Sequence, residues 1–424
     1  MKKLISLILS LAMAFSFAAG LSVSDALPDI AMTAYAEEST PLEKQMLPYH
    51  YSKLSDTEKS VYIKLRKAAI NHEKTFSVNK SMDKDVVSNL VDIIFYEDAL
   101  AFNVKKVSYM ISNKKTEFEI SYSFNQESAE KMMKKMDAVA KKVTSKFKED
   151  TSTYSKILYI HDYIIDNTVY DESLNSAHSA YGSMISGKAV CEGYARAFGY
   201  ICSKAGIKTV NVVGKATDEK GHTESHMWNR VYYNKKWYDI DLTWDDPVMP
   251  YVENKSYQYF MPGSAMFAKS HKPGGTTLKY PEATKDTSMN YYAKKKLVAD
   301  DNSSAYSLLV SQIAKAAKNG HSVATIKLTD KEAFNKFKKY LEKNDSEKIF
   351  DAIAAADKKT TVSIVTDRVY GYSADNKALT VSVYFMMKNT SIYDYYTDVS
   401  KLSSDEKEFF KDAGVSMKKP SKAA

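Results

Sequence analysis

The chain has 424 residues, 44% of them apolar, and a net charge of +8. That apolar content suits packed cores and excludes a disordered polyelectrolyte. The positive charge is nearly all lysine, with arginine only at Arg66, Arg196, Arg230 and Arg368; scattered lysines without bidentate arginines exclude a nucleic-acid reader and leave a solvated surface with weak attraction for an anionic wall or acidic substrates.

The N-terminus has the build of a targeting segment. Lys2 and Lys3 precede an apolar run over residues 4–17 broken only by Ser6, Ser10 and Ser16, and Ala34-Tyr35-Ala36 offers small residues for cleavage before Glu37. A cut near Ala18-Ala19-Gly20 is the rival. The run is short for a membrane span, so residues 1–36 read as a signal peptide. The mature chain is expected to be secreted, with no transmembrane span after signal removal. About 390 residues then remain, enough for two or three domains: an N-terminal α+β region over 37–145, a central core over 146–285 and a C-terminal α+β region over 286–424. By position alone, residues 37–145 are also a candidate pro-segment.

In chain order, helical apolar spacing covers 57–71, opened by Ser55-Asp56 as caps. A short strand follows over 75–78 and a helix over 86–96. Residues 107–111 and 117–124 read as a hairpin around Asn113-Lys114-Lys115, and 128–148 as a lysine-rich amphipathic helix. A helix over 152–167 opens the central region. Cys191 sits where a glycine-containing loop gives way to a helix ending at Gly206. Strands are expected over 209–213, 227–233 and 236–242, the last two flanking Asn234-Lys235. Pro273-Gly274-Gly275 and the polar stretch to Ser288 read as an exit linker. The last region repeats helix, strand, helix, hairpin. There Ile313-Ala314-Lys315-Ala316-Ala317-Lys318-Asn319-Gly320 parallels Leu65-Arg66-Lys67-Ala68-Ala69-Ile70-Asn71-His72; the pattern fits a duplicated module, and so thin an identity fits chance equally.

The chemistry concentrates between Gly187 and Pro247. Cys191 lies in Val190-Cys191-Glu192-Gly193-Tyr194-Ala195, His226 in Ser225-His226-Met227-Trp228-Asn229 and Asp241 in Asp239-Ile240-Asp241-Leu242-Thr243-Trp244. A thiol, an imidazole and a carboxylate are the parts of nucleophilic acyl transfer. A helix N-terminus favours the thiolate and supplies oxyanion donors, and a protonated imidazole favours it further. Tyr181 is the candidate for a second oxyanion donor. If Asn234-Lys235 is a two-residue turn, Trp228 lies opposite Asp241, and His226 shares a face with Asp241; a three-residue loop would set them on opposite faces.

Each residue has a plainer reading. Cys191 alone would more often be a small buried hydrophobe, and Cys202 lies on the helical stripe with Ala195 and Phe198. Eleven residues of one helix separate the two thiols' Cα atoms by about 16 Å, too far for a disulfide, which tolerates less than about 7 Å. His222 and His226 are four apart, but the motif of a helical zinc pair is missing, so no metal and no cofactor are expected. Trp228, Trp237 and Trp244 suit packing around the site, with a substrate groove as the alternative for Trp228 and Trp244. Asp239, Asp245 and Asp246 compete with Asp241, the latter two better suited to a loop or cap.

At these residues the chain resembles the transglutaminase-like superfamily, a branch of papain-like cysteine enzymes. The resemblance covers about 154–247. It includes Ile157-Leu158-Tyr159-Ile160-His161-Asp162-Tyr163-Ile164 and Asn167-Thr168-Val169-Tyr170-Asp171 besides the three blocks above. It implies an α+β fold in which the helix carrying the cysteine packs on an antiparallel sheet, with smaller α+β regions on either side. It also implies Cys191 as nucleophile, His226 as base and acid, and Asp241 as the orienting residue. The expected function is a secreted cysteine acyl-transfer enzyme acting on peptide or carboxamide bonds, hydrolytic as peptidase or amidase. The substrates expected are extracellular proteins or bacterial cell-wall peptides. Crosslinking to amines, or a non-catalytic binding module that keeps the fold, are the alternatives.

Overall fold

The structure is a computed structural model describing residues 47–218, 220–246, 255–344, 346–396 and 399–418. Residues 1–36, read from the sequence as a signal peptide, lie outside these residues. The chain divides into two compact units. One comprises the described residues up to Trp237 together with Ala268–Glu282; the other comprises Tyr238–Phe267 together with the described residues from Ala283 onward. Among the described residues no helix is long and apolar enough to cross a membrane.

The first unit opens with α1 (Asp56–Ile70), where Ser55 and Glu58 form a reciprocal capping box that satisfies two orphan N–H groups. Its stripe of Val61, Tyr62, Leu65, Ala68 and Ala69 is buried. Then come β1 (Thr75–Val78), α2 (Lys84–Asp92, capped by Asp83) and the hairpin of β2 (Val104–Ile111) and β3 (Thr116–Tyr122). These strands make an antiparallel sheet of order β1-β3-β2. The helix expected over 86–96 ends at Asp92, and Ile93–Glu97 is a single π turn followed by a 3-10 turn, Ala99–Ala101. Adjacent Ile93 and Ile94 are both fully buried there, so the periodicity that suggested one helix continues while the backbone changes. Asp98, inside this turn, is buried with Arg66, whose Nε donates to Asp98 Oδ2 at 2.5 Å, and Tyr62 Oη donates to the same oxygen.

The same unit continues with α3 (Gln126–Thr144), α4 (Thr153–Asn167), the short parallel pair β4 (Val169–Tyr170) and β5 (Lys188–Ala189), and α5 (Cys191–Lys204). The strands β6 (Thr209–Thr217), β7 (Thr223–Tyr233), β8 (Lys236–Ile240) and β9 (His271–Pro273) form a sheet of order β8-β7-β6-β9. β6 is antiparallel to both β7 and β9. The boundary between the units runs through β8, after Trp237. This helix-on-antiparallel-sheet arrangement is α+β, as the sequence implied. The exit linker is a correction: residues 271–273 are a strand paired with β6, and Leu278 is buried in the core of α1, α2 and β1–β3. Three residues of edge strand ending in proline leave no alternation for sequence to read.

His50 fastens the same region. Its Nδ1 lies 2.6 Å from Glu97 and its Nε2 3.1 Å from the carbonyl of Lys279. Both nitrogens face acceptors, which suits the imidazolium. Burial alone would lower its pKa, but the Glu97 carboxylate outweighs it and the pKa is raised.

In the second unit, β10 (Val298–Ala299), α6 (Asn302–Lys318), β11 (Val323–Leu328), α7 (Lys331–Glu342), α8 (Glu347–Asp357), β12 (Ile364–Asp375) and β13 (Thr380–Met387) follow in order. The sheet order is β10-β11-β13-β12. Its core joins Leu309, Ile313, Phe334, Phe337, Ile353 and Phe385. A second cluster around Tyr395 and Phe410 packs beside Val365 and Met386. The inserted segment 238–267 is held within this unit by Asn290 Nδ2 donating to the Phe260 carbonyl and by Tyr257 stacking on Tyr291 at 3.7 Å.

Candidate active site

Cys191 is the first residue of α5, half-buried and free. The helices α1, α2, α3, α4, α6 and α7 begin at a Ser, Asp or Asn side chain that caps them. α5 begins at Val190, which has no capping side chain. Among the described residues, the N–H groups of Cys191, Glu192 and Gly193 make no hydrogen bond. The helix dipole and three orphan donors therefore converge beside the thiol, where they favour a thiolate or an oxyanion.

The approach to this end is tight. A Cβ at Gly193 would come within 2.4 Å of the Ala177 carbonyl and 2.7 Å of the Ala189 Cβ, so only glycine fits. Val190 N donates to the same Ala177 carbonyl. Glu192 is held by Arg196 (Nε 3.0 Å, Nη2 2.7 Å) and by His178 Nδ1 at 3.0 Å. Burial pushes the Glu192 carboxyl up, but Arg196 and His178 more than offset this and hold it below its ordinary range. The hydrogen bond to Glu192 in turn raises the His178 pKa. Cys202 lies deep in the same helix, where burial pushes its thiol well up and leaves it inert.

His226 is buried on β7, opposite Gly214 of β6. β7 is tied to α5 by Asn229 Nδ2, which donates to the Ala195 carbonyl at 3.0 Å. The Cys191 thiol makes no hydrogen bond among the described residues, to His226 or otherwise. His226 stacks near Trp228 at 6.3 Å and lies 5.5 Å from His271, a residue the sequence did not single out. These two imidazoles are groups a divalent ion could use. His222 is exposed in a turn before β7 and pairs with Asp218 at 3.3 Å, so the helical spacing with His226 is not realised.

The turn between β7 and β8 has two residues, Asn234 and Lys235, both left-handed with φ of 47° and 60°. That is the twist-matched hairpin turn, and it meets the register condition set out from the sequence. Within the second unit, Asp241 is buried. Its Oδ1 accepts from Thr243 N at 2.9 Å and Trp244 N at 3.2 Å, and its own N–H donates to the Tyr259 carbonyl. Asp245 has the structural task expected of it, its Oδ1 accepting from Tyr259 N.

Tyr181 stands at the start of a π turn, Gly182–Ser186, half-buried. Trp228 is only 1% exposed, with its indole over Gly214, so the packing reading replaces the groove reading for it. Trp244 is half-buried, edge-on to Tyr259 at 5.1 Å.

Cys191 on an uncapped helix and His226 buried on an antiparallel strand place a thiol and an imidazole in one α+β unit. Residues 137–242 match the family model of the Transglutaminase-like superfamily. The chain is 26% identical over 194 residues to a mouse (Mus musculus) protein named kyphoscoliosis peptidase and 29% identical over 122 residues to the human (Homo sapiens) one. These alignments cover 39% and 25% of this chain and only 29% and 18% of the relatives, so the chain spans less than a third of their length. A crystal structure of a TGase aligns over 40% of this chain and 50% of its own, at 16% identity and a TM-score of 0.24.

Proposed function

We propose that the chain is a secreted cysteine acyl-transfer enzyme that hydrolyses peptide or carboxamide bonds in extracellular proteins or wall peptides. The Cys191 thiolate attacks the carbonyl carbon, and the orphan N–H groups at the start of α5 stabilise the oxyanion, with Tyr181 as a second donor. The C–N bond breaks as His226, protonated, gives its proton to the leaving amine, and a thioester remains on Cys191. Water then attacks the thioester while His226 takes its proton; the carboxylic acid leaves and the thiolate returns. Asp241 orients the imidazole, a role supported by the two-residue turn, which in a regular hairpin sets both side chains on one face. The observation that carries the reading is the thiol at the uncapped N-terminus of α5, beside three N–H groups that make no hydrogen bond among the described residues. Secretion is supported by the signal-like N-terminus.

The test is iodoacetamide labelling of Cys191 across pH, read by mass spectrometry. Fast labelling near pH 6 that slows in His226→Ala, with amide turnover lost in Cys191→Ala, is expected. Labelling at the rate of an ordinary thiol, indifferent to His226, would favour a binding module that keeps the fold. Product containing a new amide to an added amine, in place of free acid, would turn the reading to crosslinking.

A further inference from the structure

We propose that His271 is a positioning residue for the catalytic imidazole, one that locks the ring of His226 from across an intervening strand. The inference rests on the reading of His226 as the base. In the β6–β7 register Gly214 faces His226, and Val212 faces Trp228. In the β6–β9 register Gly214 faces Pro273, and Ala216 faces His271. Opposed residues and residues two apart share a face, so His226, Trp228 and His271 rise from the same side of the sheet. Strands separated by one neighbour lie about 9–10 Å apart, yet the two imidazole centroids are 5.5 Å apart.

They meet because β6 offers only Gly214 and Ala216 beneath them. A Cβ at Gly214 would sit 2.3 Å from the Lys272 carbonyl oxygen and 2.7 Å from Trp228 Cη2. The strand carrying His271 and the indole are thus drawn in over a glycine. Trp228 closes the triangle, nearly parallel to His226 at 23° and edge-on to His271 at 5.1 Å and 74°. His271 is itself buried and anchored, with Nδ1 2.8 Å from Ser270 Oγ.

An imidazole packed on two sides keeps one orientation. A base that must take a proton from one atom and deliver it to another depends on that, since a displacement of about 1 Å can cost about 100-fold in rate. Removing the His271 ring opens space beside His226 and lets it swing; a phenyl ring in its place fills the space without the nitrogens.

The experiment combines histidine-ring NMR of the full chain with iodoacetamide labelling of Cys191, in wild type, His271→Ala and His271→Phe, each with its melting temperature. His271→Ala is expected to broaden or shift the His226 ring resonances and to slow labelling about tenfold, while His271→Phe holds both near wild type. Should His271→Ala not fold, Ser270→Ala, which removes the 2.8 Å hydrogen bond to His271 Nδ1, is expected to give a smaller change of the same sign. Unchanged His226 resonances in the folded alanine variant would overturn the proposal, as would a phenylalanine variant as impaired as the alanine one. If wild-type Cys191 labels like an ordinary thiol, the enzyme reading fails by itself, and the His226 resonances still decide whether His271 holds that ring.

Discussion

Two regions of the molecule share a plan and use it differently. α1, β1, α2 and the β2–β3 hairpin give a sheet of order β1-β3-β2; α6, β11, α7, α8 and the β12–β13 hairpin give β11-β13-β12. In both hairpins the first strand carries a register shift. The short sequence likeness falls on the end of the first helix in each. Leu65 and Ile313 are fully buried, Asn71 and Asn319 are the C-caps, and His72 and Gly320 both take left-handed φ, 62° and 77°. Glycine adopts that conformation freely. His72 is held in it by stacking on Tyr122 at 4.2 Å and by Asn103 Nδ2 at 2.7 Å.

The difference lies after the second helix. The later region has another helix there, α8. The earlier one has the π turn Ile93–Glu97, whose carbonyls face outward: Phe95 O accepts from Arg196 Nη2 on α5 and Tyr96 O from Asn211 Nδ2 on β6 at 2.9 Å. The same order of elements serves as a bracket for the cysteine helix in the earlier region and carries an apolar three-helix layer in the later one.

The comparison is broken most severely at the buried charge. Asp98→Ala removes the buried carboxylate that Arg66 Nε and Tyr62 Oη share and is expected to cost about 3–5 kcal/mol by urea unfolding. The position matching Arg66 is Ala314, so no such dependence is expected there. Asn211→Ala is next. It strands the Tyr96 carbonyl and removes one of the two acceptors of Asn229 Nδ2, at 2.8 Å, for about 1–3 kcal/mol, and slows Cys191 labelling by loosening α5. In the later region Gly320→Ala meets nothing within 4 Å, so its cost of about 1 kcal/mol by thermal unfolding comes from φ alone.

The smallest expected effect is at His178, which is largely exposed. Its raised pKa means that its pairing with Glu192 stabilises the fold fully below the unfolded histidine pKa and ceases to as pH rises through the folded one. Wild type should therefore melt above His178→Gln at pH 5.5, by no more than about 2–4 °C, and alongside it at pH 9. A difference that persists at pH 9 would mean the side chain acts by packing.

Much of this was legible in the residues themselves. Ser55 announces a helix start because a cap is a local hydrogen bond, and Ser152 opens the helix expected from it. Asn125, which caps Gln126–Thr144, escaped a reading that began that helix at 128. Asn234-Lys235 announces its turn because few residues accept left-handed φ. The cysteine, histidine and aspartate blocks carry their chemistry in residue type. What else escaped depends on distant partners. The π turn hides inside an unbroken apolar period. His271 hides in a stretch rich in Pro, Gly, Lys and Thr, where its meaning comes only from the strand it joins.

The first unit is also discontinuous in the chain, interrupted after Trp237 and resumed at Ala268. On a ribosome, that order of synthesis matters. At about 5–20 residues per second, the stretch to Glu282 takes several seconds more to emerge. Until it does, β6 has an open edge where His271–Pro273 will lie, and the nascent chain carries its thiol and its first histidine without the second. The last strand to be made closes the sheet, so a stop anywhere before it yields a protein with an unpaired, adhesive edge.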